Sequence, residues 1–106
     1  MTGIELMTKE RNRQVEVEGW TPEHDDKHDK QELVLSAIAY ASHNLNVGTL
    51  LRIRIHGTTC WPTCWPWDWK WWKPSPDPVR NLVKAGALIA AEIDRLKRLK
   101  GKEESK

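Results

Sequence analysis

Apolar residues recur at helical spacing in two segments of the chain, residues 29–43 and residues 77–99. Each segment places its apolar side chains on one side of a helix, which predicts an amphipathic helix with that side buried. The stripe of the first segment comprises Leu33, Val34, Ala37, Ile38 and Ala41. The stripe of the second comprises Leu82, Val83, Gly86, Ile89, Ala90, Ile93 and Leu96. Two such helices can cover one another.

The two ends of the chain are predicted from weaker signals. Residues 1–19 have the propensity of a helix but a thin apolar stripe, and Gly19 is the expected stop. Asp77 is a candidate N-cap for the last helix, with Pro78 at the first helical position, where its missing N–H costs nothing. The polar residues 100–106 are expected to fray.

Residues 44–76 form a long insertion between the second and third predicted helices. Apolar and polar residues alternate over residues 49–56, which indicates either a short strand or a misread turn of helix. A lone strand is not stable, so it would need a neighbouring loop or another subunit. The predicted fold is therefore a single all-α domain of three helices with a long Trp- and Pro-rich irregular insertion and, in one interpretation, one short strand.

Composition narrows the classes of protein. The 106 residues allow one domain, and 17 Lys and Arg against 15 Asp and Glu give a net charge of +2, which does not point to nucleic acid or an anionic membrane. No apolar run is long enough to cross a bilayer, and the N-terminus lacks a signal-peptide pattern, so we expect a cytoplasmic protein. Two cysteines cannot form a disulfide framework.

The segment WPWDWKWWKP holds five of the seven tryptophans. In an extended backbone, four of its indoles would alternate onto one face, where they could stack on a base or another flat ligand. The more common role for such rings is to fill gaps between helices or to form a protein interface. The rigid prolines around them fit both interpretations.

Basic residues on three predicted elements could join the indoles to form a site for an anion and an aromatic ring. In the alternative, each arginine points to water or pairs with an acid such as Glu16, Glu18 or Glu32. The candidate ligand-binding residues are Arg11, Arg13, Trp20, Arg52, Arg54, Trp65, Trp67, Trp69, Trp71, Trp72, Arg80 and Lys84. The basic run from Arg95 to Lys102 is expected to be a solvated helix end.

Metal sites can be drawn but are not favoured. The side chains available for zinc are His56, Cys60 and Cys64, together with His24, His28 and His43, but the usual C-x₂-C spacing is absent. The acidic loop offers Glu23, Asp25, Asp26 and Asp29, but it lacks the glycine and ligand order of an EF-hand. Solvated charge with Asp26 or Asp29 capping the next helix is the expected role. No nucleophile accompanies the histidines, so we predict no catalytic residue. Because neither set of side chains has the spacing of a metal site, we also predict no bound metal, and no cofactor.

Three stretches carry a resemblance: KERNRQVEVEGWTPEHDDKHDKQELVLSAIAYA, WPWDWKWWKP and DPVRNLVKAGALIAAEIDRL. Together, over about residues 9–96, they resemble short phage and prophage proteins without an assigned function. More distantly, the helix order and the RNRQ opening look like the MazG-like all-α nucleotide pyrophosphohydrolases, which hold magnesium with EExxE and ExxD motifs. Those motifs fall on Gln31, Glu32, Leu35, Asn81 and Lys84, so one acid remains. A lysine at position 84 would suit a phosphate rather than a metal.

The resemblance implies a phage-type protein that binds a nucleotide or a nucleotide-derived host defence signal and sequesters it without hydrolysis. A second hypothesis is a protein that inhibits a host defence enzyme by presenting its Trp-rich loop, because Trp and Arg dominate protein hot spots. A third is a true MazG-like pyrophosphohydrolase. The thin first helix, the unpaired strand and the surplus indoles predict a homo-oligomer.

Overall fold

The fold is seen in a computed structural model that describes residues 1–43 and 65–104, with the side chain of Trp69 left out. Four α-helices and one 3-10 turn make up this part of the chain. They are α1 (Gly3–Glu16), α2 (Pro22–Asp26), α3 (Glu32–Ser42), the 3-10 turn (Trp69–Trp71) and α4 (Pro78–Glu104). The described residues contain no strand, which confirms the all-α prediction. The predicted strand at 49–56 lies outside them.

Side chains fix where the first helices begin. Thr2 and Glu5 form a capping box, in which the Glu5 N–H donates to Thr2 Oγ1 (3.2 Å) and the Thr2 N–H donates to Glu5 Oε1 (2.9 Å). Thr21 is the N-cap of α2, where its Oγ1 accepts a hydrogen bond from the His24 N–H (3.3 Å), and Pro22 occupies the first turn. The acidic loop therefore contains a short helix that the sequence did not predict. Helix α1 ends at Glu16 with Val17 as its C-cap, earlier than the stop expected at Gly19, and Gly19 has a positive φ of 76° in the turn that follows.

The last helix begins where the sequence predicted and ends later. Asp77 Oδ1 accepts a hydrogen bond from the Val79 N–H (3.0 Å), as expected of an N-cap. The prediction of fraying from residue 100 is wrong for the described residues, because α4 continues to Glu104. Lysine and glutamate are good helix formers, and Lys100 lies 3.9 Å from Glu104 one turn on.

Helix α4 packs against each of the other three helices, and most extensively against α3. Small residues dominate the buried contact between them, and its large side chains include Leu33 and Tyr40 of α3 and Leu88 of α4. The core cluster consists of Leu33, Ala37, Ala39, Tyr40, Trp65, Ala85, Leu88 and Ala91. Alanines on both helices allow their backbones to approach closely, which explains why this face is the buried one.

The apolar stripe predicted to be buried on α4 is mostly exposed. Leu82, Ile89, Ile93 and Leu96 are 56%, 48%, 51% and 49% exposed. The prediction was wrong because α4 carries apolar residues on two faces, and the alanine face packs against α3. On α3, Leu33 and Ala37 are buried as predicted, whereas Val34 and Ile38 are partly exposed.

Gly86 marks the crossing of α1 over α4. A Cβ atom built at Gly86 would lie 2.0 Å from the Met7 sulfur, so the absence of a side chain allows this contact. The methionine side chain therefore occupies the space that any larger residue at position 86 would need.

The tryptophan segment does not run as one extended strand. Because residues 69–71 form a 3-10 turn, the prediction of four alternating indoles on one face is wrong. Trp65 is buried, and its Nε1–H donates to the Asp68 carbonyl (3.1 Å), whereas Trp71 is 58% exposed. Tyr40 meets Trp65 edge to face at 5.6 Å and Trp72 at 4.9 Å. This packing joins the segment to α3.

Charges near the C-terminal half of α4 are paired rather than simply solvated. Arg95 is 8% exposed, and its Nε donates to Glu92 (2.5 Å) one turn earlier. Arg98 donates to Asp26 Oδ1 (2.8 Å), which ties α2 to α4. The expectation of a fully solvated basic end is therefore wrong for these two arginines. Within residues 1–43 and 65–104, no helix has the combination of length and apolar character needed to cross a membrane.

Candidate ligand-binding pocket

A pocket of about 560 Å³ opens between α1, the α2 region, α3, the tryptophan segment and α4. This volume is in the range of small-molecule sites. Aromatic rings form much of its wall and charged side chains much of the remainder. The lining residues are Glu10, Arg13, Gln14, Glu18, Trp20, His24, His28, Tyr40, Trp65, Trp67, Asp68, Trp71, Lys73, Lys84 and Leu88.

The aromatic wall is held by ring contacts. Trp20 stacks on His24 with a centroid distance of 5.6 Å and an interplanar angle of 4°. Trp67 meets Trp65 edge to face at 5.3 Å and lies 6.4 Å from Trp20. Such contacts stabilise the rings in fixed orientations. The pocket therefore offers preformed apolar surface to a flat ligand.

A buried carboxylate forms the polar floor. Glu10 is 3% exposed. Arg13 Nε donates to Glu10 Oε1 (2.8 Å) and Arg13 Nη2 donates to Oε2 (2.9 Å), while Arg80 Nη2 lies 2.7 Å from Oε1. Burial by itself would raise the pKa of Glu10, but hydrogen bonds from the two guanidinium groups, with their charges, outweigh it and lower that pKa. The carboxylate is therefore ionised at neutral pH.

Gln14 presents a buried acceptor beside this floor. It is 2% exposed, and its Nε2 donates to Glu10 Oε2 at 3.4 Å. The amide orientation follows, because the opposite one would set an oxygen against the carboxylate. Its Oε1 has no hydrogen-bond partner within the described part of the chain. A buried acceptor without a partner costs free energy that a donor group on a ligand could recover.

Lys84 brings a positive charge to the pocket. Its Nζ donates to the Lys73 carbonyl (3.2 Å) and lies 5.2 Å from the centre of the Tyr40 ring. Burial, with the charge of Arg80 as the second cause, lowers the pKa of Lys84. An anion beside the ammonium group would offset both effects, since it would stabilise the charged form.

Six of the twelve predicted ligand-binding residues line the pocket: Arg13, Trp20, Trp65, Trp67, Trp71 and Lys84. Three others do not line the pocket. Arg11 forms an ion pair with Asp25 (2.7 Å), Arg80 forms an ion pair with Glu10 (2.7 Å), and Trp72 packs on Tyr40. Arg52 and Arg54 fall outside the described residues, as does the side chain of Trp69.

Sequence reasoning missed the polar floor. Glu10 and Gln14 are one helical turn apart, with Arg13 between them, so they share the inward face of α1. The sequence did contain one signal for these buried polar residues, the thin apolar stripe of α1. A helix that packs against others but has few apolar residues has to bury polar ones. The alternative interpretation of the arginines, pairing with acids, is what the structure shows for Arg13, which also donates to Glu18 (2.7 Å).

The acidic loop is not uniformly solvated. Asp25 is 0% exposed and accepts from Arg11 Nη2 (2.7 Å), with His24 Nδ1 3.0 Å from its other oxygen. The expectation of solvated charge is wrong for Asp25, because α2 turns that carboxylate inward. Neither Asp26 nor Asp29 caps α3. The N-cap is Gln31, which has a positive φ of 66° and no side-chain capping bond.

Two residues at the positions of the MazG-like metal motifs, Asn81 and Glu32, form hydrogen bonds within the protein. Asn81 is held by the backbone of Ser75, to which its Nδ2 donates and from which its Oδ1 accepts, both at 2.8 Å. Glu32 accepts from the Lys30 N–H and lies 3.1 Å from His28. In the two described ranges, no cluster of three or more His, Cys, Asp or Glu side chains could hold a metal ion.

The chain matches no family model, no curated protein and no solved structure.

Proposed function

We propose that the protein binds a nucleotide, or a related molecule with an aromatic ring and a phosphate, in this pocket and retains it without chemical change. The carrying observation is the convergence of indoles and lysines on one pocket of about 560 Å³. Each part suits one part of such a ligand. The rings of Trp20 and Trp67 suit a base, and the ammonium group of Lys84 suits a phosphate.

The charge distribution favours lysines rather than arginines as the partners of a bound anion. Among the described residues, three acids (Glu10, Glu18, Asp68) and three basic side chains (Arg13, Lys73, Lys84) line the pocket. All three nitrogens of the Arg13 guanidinium already donate to Glu10 or Glu18. The lysines therefore remain as the groups for a phosphate, and the arginine serves to position the floor.

Retention without hydrolysis amounts to sequestration, since tight binding lowers the free concentration of the ligand. The link to a host defence signal rests on the resemblance to phage proteins. The pyrophosphohydrolase alternative requires magnesium held by acids, and of the five motif positions only Glu32 supplies one.

Native mass spectrometry of the purified protein tests the proposal, followed by analysis of any molecule released on denaturation. Tryptophan fluorescence titrated with linear and cyclic nucleotides gives the affinity. We expect an intact nucleotide to bind and quench the emission. Lys84→Met should weaken binding about 10- to 100-fold, as expected for a lost charge-assisted hydrogen bond. Lys97→Met, at an exposed lysine of the same helix, is the matched control.

Three results would redirect the proposal. An unchanged mass and emission with every nucleotide would contradict it. If Lys84→Met and Lys97→Met weakened nucleotide binding equally, the ligand would not bind in this pocket. Magnesium-dependent release of pyrophosphate would favour the hydrolase.

The exposure of Trp71 favours the protein-inhibitor alternative as a second candidate. Its indole is 58% exposed, with the Lys70 ammonium group 5.3 Å from the ring, a composition common in protein interfaces. Binding of a purified host enzyme, abolished by Trp71→Ser and unaffected by Lys84→Met, would support that function. Binding unaffected by Trp71→Ser would contradict it.

We also propose that the chain self-associates through α4. Its exposed Leu82, Ile89, Ile93 and Leu96 recur at intervals of seven, four and three residues, the spacing of a helix-pairing seam. A second copy would bury both seams by symmetry. Sedimentation of the wild type should give a mass above that of one chain, which Ile93→Glu reduces and Lys97→Glu does not. A monomeric wild type would contradict this.

A further inference from the structure

Two histidines face each other at the edge of the pocket. His24 lies in α2 and His28 lies two residues beyond its end, where the chain brings the two rings to a centroid distance of 4.7 Å. Their Nε2 atoms are 3.4 Å apart, and both rings line the pocket. The side chains are 33% and 21% exposed, so solvent reaches them.

A carboxylate holds the other nitrogen of each ring. His24 Nδ1 lies 3.0 Å from Asp25 Oδ1, and His28 Nδ1 lies 3.1 Å from Glu32 Oε2. A carboxylate accepts hydrogen bonds, so the tautomer that satisfies both carboxylates carries its hydrogen on Nδ1 and presents a lone pair at Nε2. Two lone pairs therefore point toward one another.

That arrangement needs a positive species between the two nitrogens. A shared proton would give an N–H···N hydrogen bond across the 3.4 Å between the two atoms. Two imidazoles on one tetrahedral zinc ion, each at about 2.0–2.1 Å, place their nitrogens about 3.3–3.4 Å apart. The separation of 3.4 Å is therefore also that of two nitrogen ligands of one zinc ion.

We propose that His24 and His28 bind a zinc-like divalent transition metal through their Nε2 atoms. Asp25 and Glu32 act as the outer carboxylates that fix the tautomer and raise the basicity of a metal-bound histidine. Within the described residues no third His, Cys, Asp or Glu converges on this point. Water fills the remaining positions, or an oxygen of a pocket ligand does.

Ring packing pre-organises the pair. Trp20 stacks on His24 in parallel, and Trp67 meets His28 edge to face at 5.4 Å, so neither imidazole has to reorient to bind. The two rings themselves are 4.7 Å apart at an interplanar angle of 70°. Pre-organisation of this kind reduces the entropy lost on binding.

Calorimetric titration of the chelator-treated full chain with zinc chloride tests the proposal. We expect one zinc ion per chain, with affinity reduced at least tenfold by His24→Gln and by His28→Gln. The double variant Cys60→Ser with Cys64→Ser removes the only thiols of the chain and is the control. Its zinc affinity should equal that of the wild type. Binding that survives both histidine substitutions, or that the cysteine variant abolishes, overturns the proposal.

A conservative variant covers the case in which the histidine variants do not fold. Glu32→Gln retains an acceptor oxygen for His28 but removes the negative charge, and outer-shell changes of this kind typically cost 10- to 100-fold in metal affinity. We expect zinc to bind about tenfold more weakly to this variant, with an unchanged circular dichroism spectrum. An unaltered affinity in a folded Glu32→Gln protein overturns the proposal.

Because this test uses zinc alone, it is independent of nucleotide binding. If the protein binds zinc but no nucleotide, the metal site is supported and the proposed function is contradicted. If it binds a nucleotide but no zinc, the proposed function is supported and the metal site is contradicted.

Discussion

Replacing the buried carboxylate of Glu10 with a neutral amide should weaken the fold substantially. Its carboxylate accepts from Arg13 at 2.8 and 2.9 Å and from Gln14 at 3.4 Å, and Arg80 lies 2.7 Å away. Glu10→Gln preserves the shape of the side chain but replaces one oxygen with an NH₂ group. That group is a donor facing donors, so at least two of the four contacts are lost and two guanidinium groups lose their counter-charge.

The magnitude follows from the burial of each partner. A hydrogen bond to a charged group contributes about 1.5–3 kcal/mol, and breaking a buried ion pair costs about 3–5 kcal/mol. The Glu10 side chain is 2% exposed, but those of Arg13 and Arg80 are both 37% exposed and can regain water. We therefore expect a loss of about 2–4 kcal/mol, equivalent to a fall in Tm of about 10–20 °C for a domain of this size.

Thermal unfolding followed by circular dichroism measures this loss, with Glu18→Gln as the matched control. Glu18 pairs with the same Arg13 at 2.7 Å, but its side chain is 43% exposed, so its removal should cost below about 1 kcal/mol. If Glu10→Gln lowers Tm no more than Glu18→Gln does, the buried network is not stabilising the fold as argued.

The same carboxylate should shape the pH dependence of stability. The folded pKa of Glu10 is lowered, so its contribution is fully present above the unfolded pKa and is lost as pH falls through the folded value. The Glu10→Gln protein should lack that part of the acid destabilisation, which urea unfolding between pH 7 and about pH 3 would reveal.

Three further substitutions probe the rest of the fold. Asn81→Ala removes both bonds to Ser75 from a side chain that is 1% exposed, and urea unfolding should show a loss of about 2–3 kcal/mol. In a Met7→Ala background, Gly86→Ala should stabilise the protein by about 1 kcal/mol, because alanine has the higher helix propensity. In the wild type the gain should be smaller, because the Met7 side chain occupies the space that the new Cβ atom needs. Equal effects in the two backgrounds would contradict the contact between Met7 and Gly86. Asp26→Asn weakens a half-buried ion pair with Arg98 of α4 and should cost about 1 kcal/mol, an effect that falls in about 1 M salt. A salt-independent loss would contradict this.

The helices were predictable because their signals are local. Apolar spacing located α3 and α4, and the Asp77–Pro78 pair located the start of α4. The buried face of α4 was not predictable from hydrophobicity, because its larger apolar residues lie on the other side. The choice between the two faces depends on how closely α3 can approach, which alanines at positions 85 and 91 permit.

The candidate pocket was predicted in part, for a related reason. An indole-rich segment indicates aromatic surface wherever it folds, so Trp65 and Trp67 could be named from sequence. The location of Glu10 could not, since a buried carboxylate is stable only when distant groups meet it. One of its two guanidinium partners, on Arg80, comes from a helix seventy positions later in the chain. A single sequence does not contain that pairing.

The central position of α4 has a consequence for synthesis on the ribosome. Helices α1, α2 and α3 each pack against α4, which is the last of the described elements to emerge. Until Pro78 and the residues after it leave the exit tunnel, the three earlier helices lack their common partner, and Leu33 has no Leu88 to cover it. Short isolated helices are marginal in water. Completion of the fold should therefore wait for α4 to emerge, with the nascent chain open to chaperones until then.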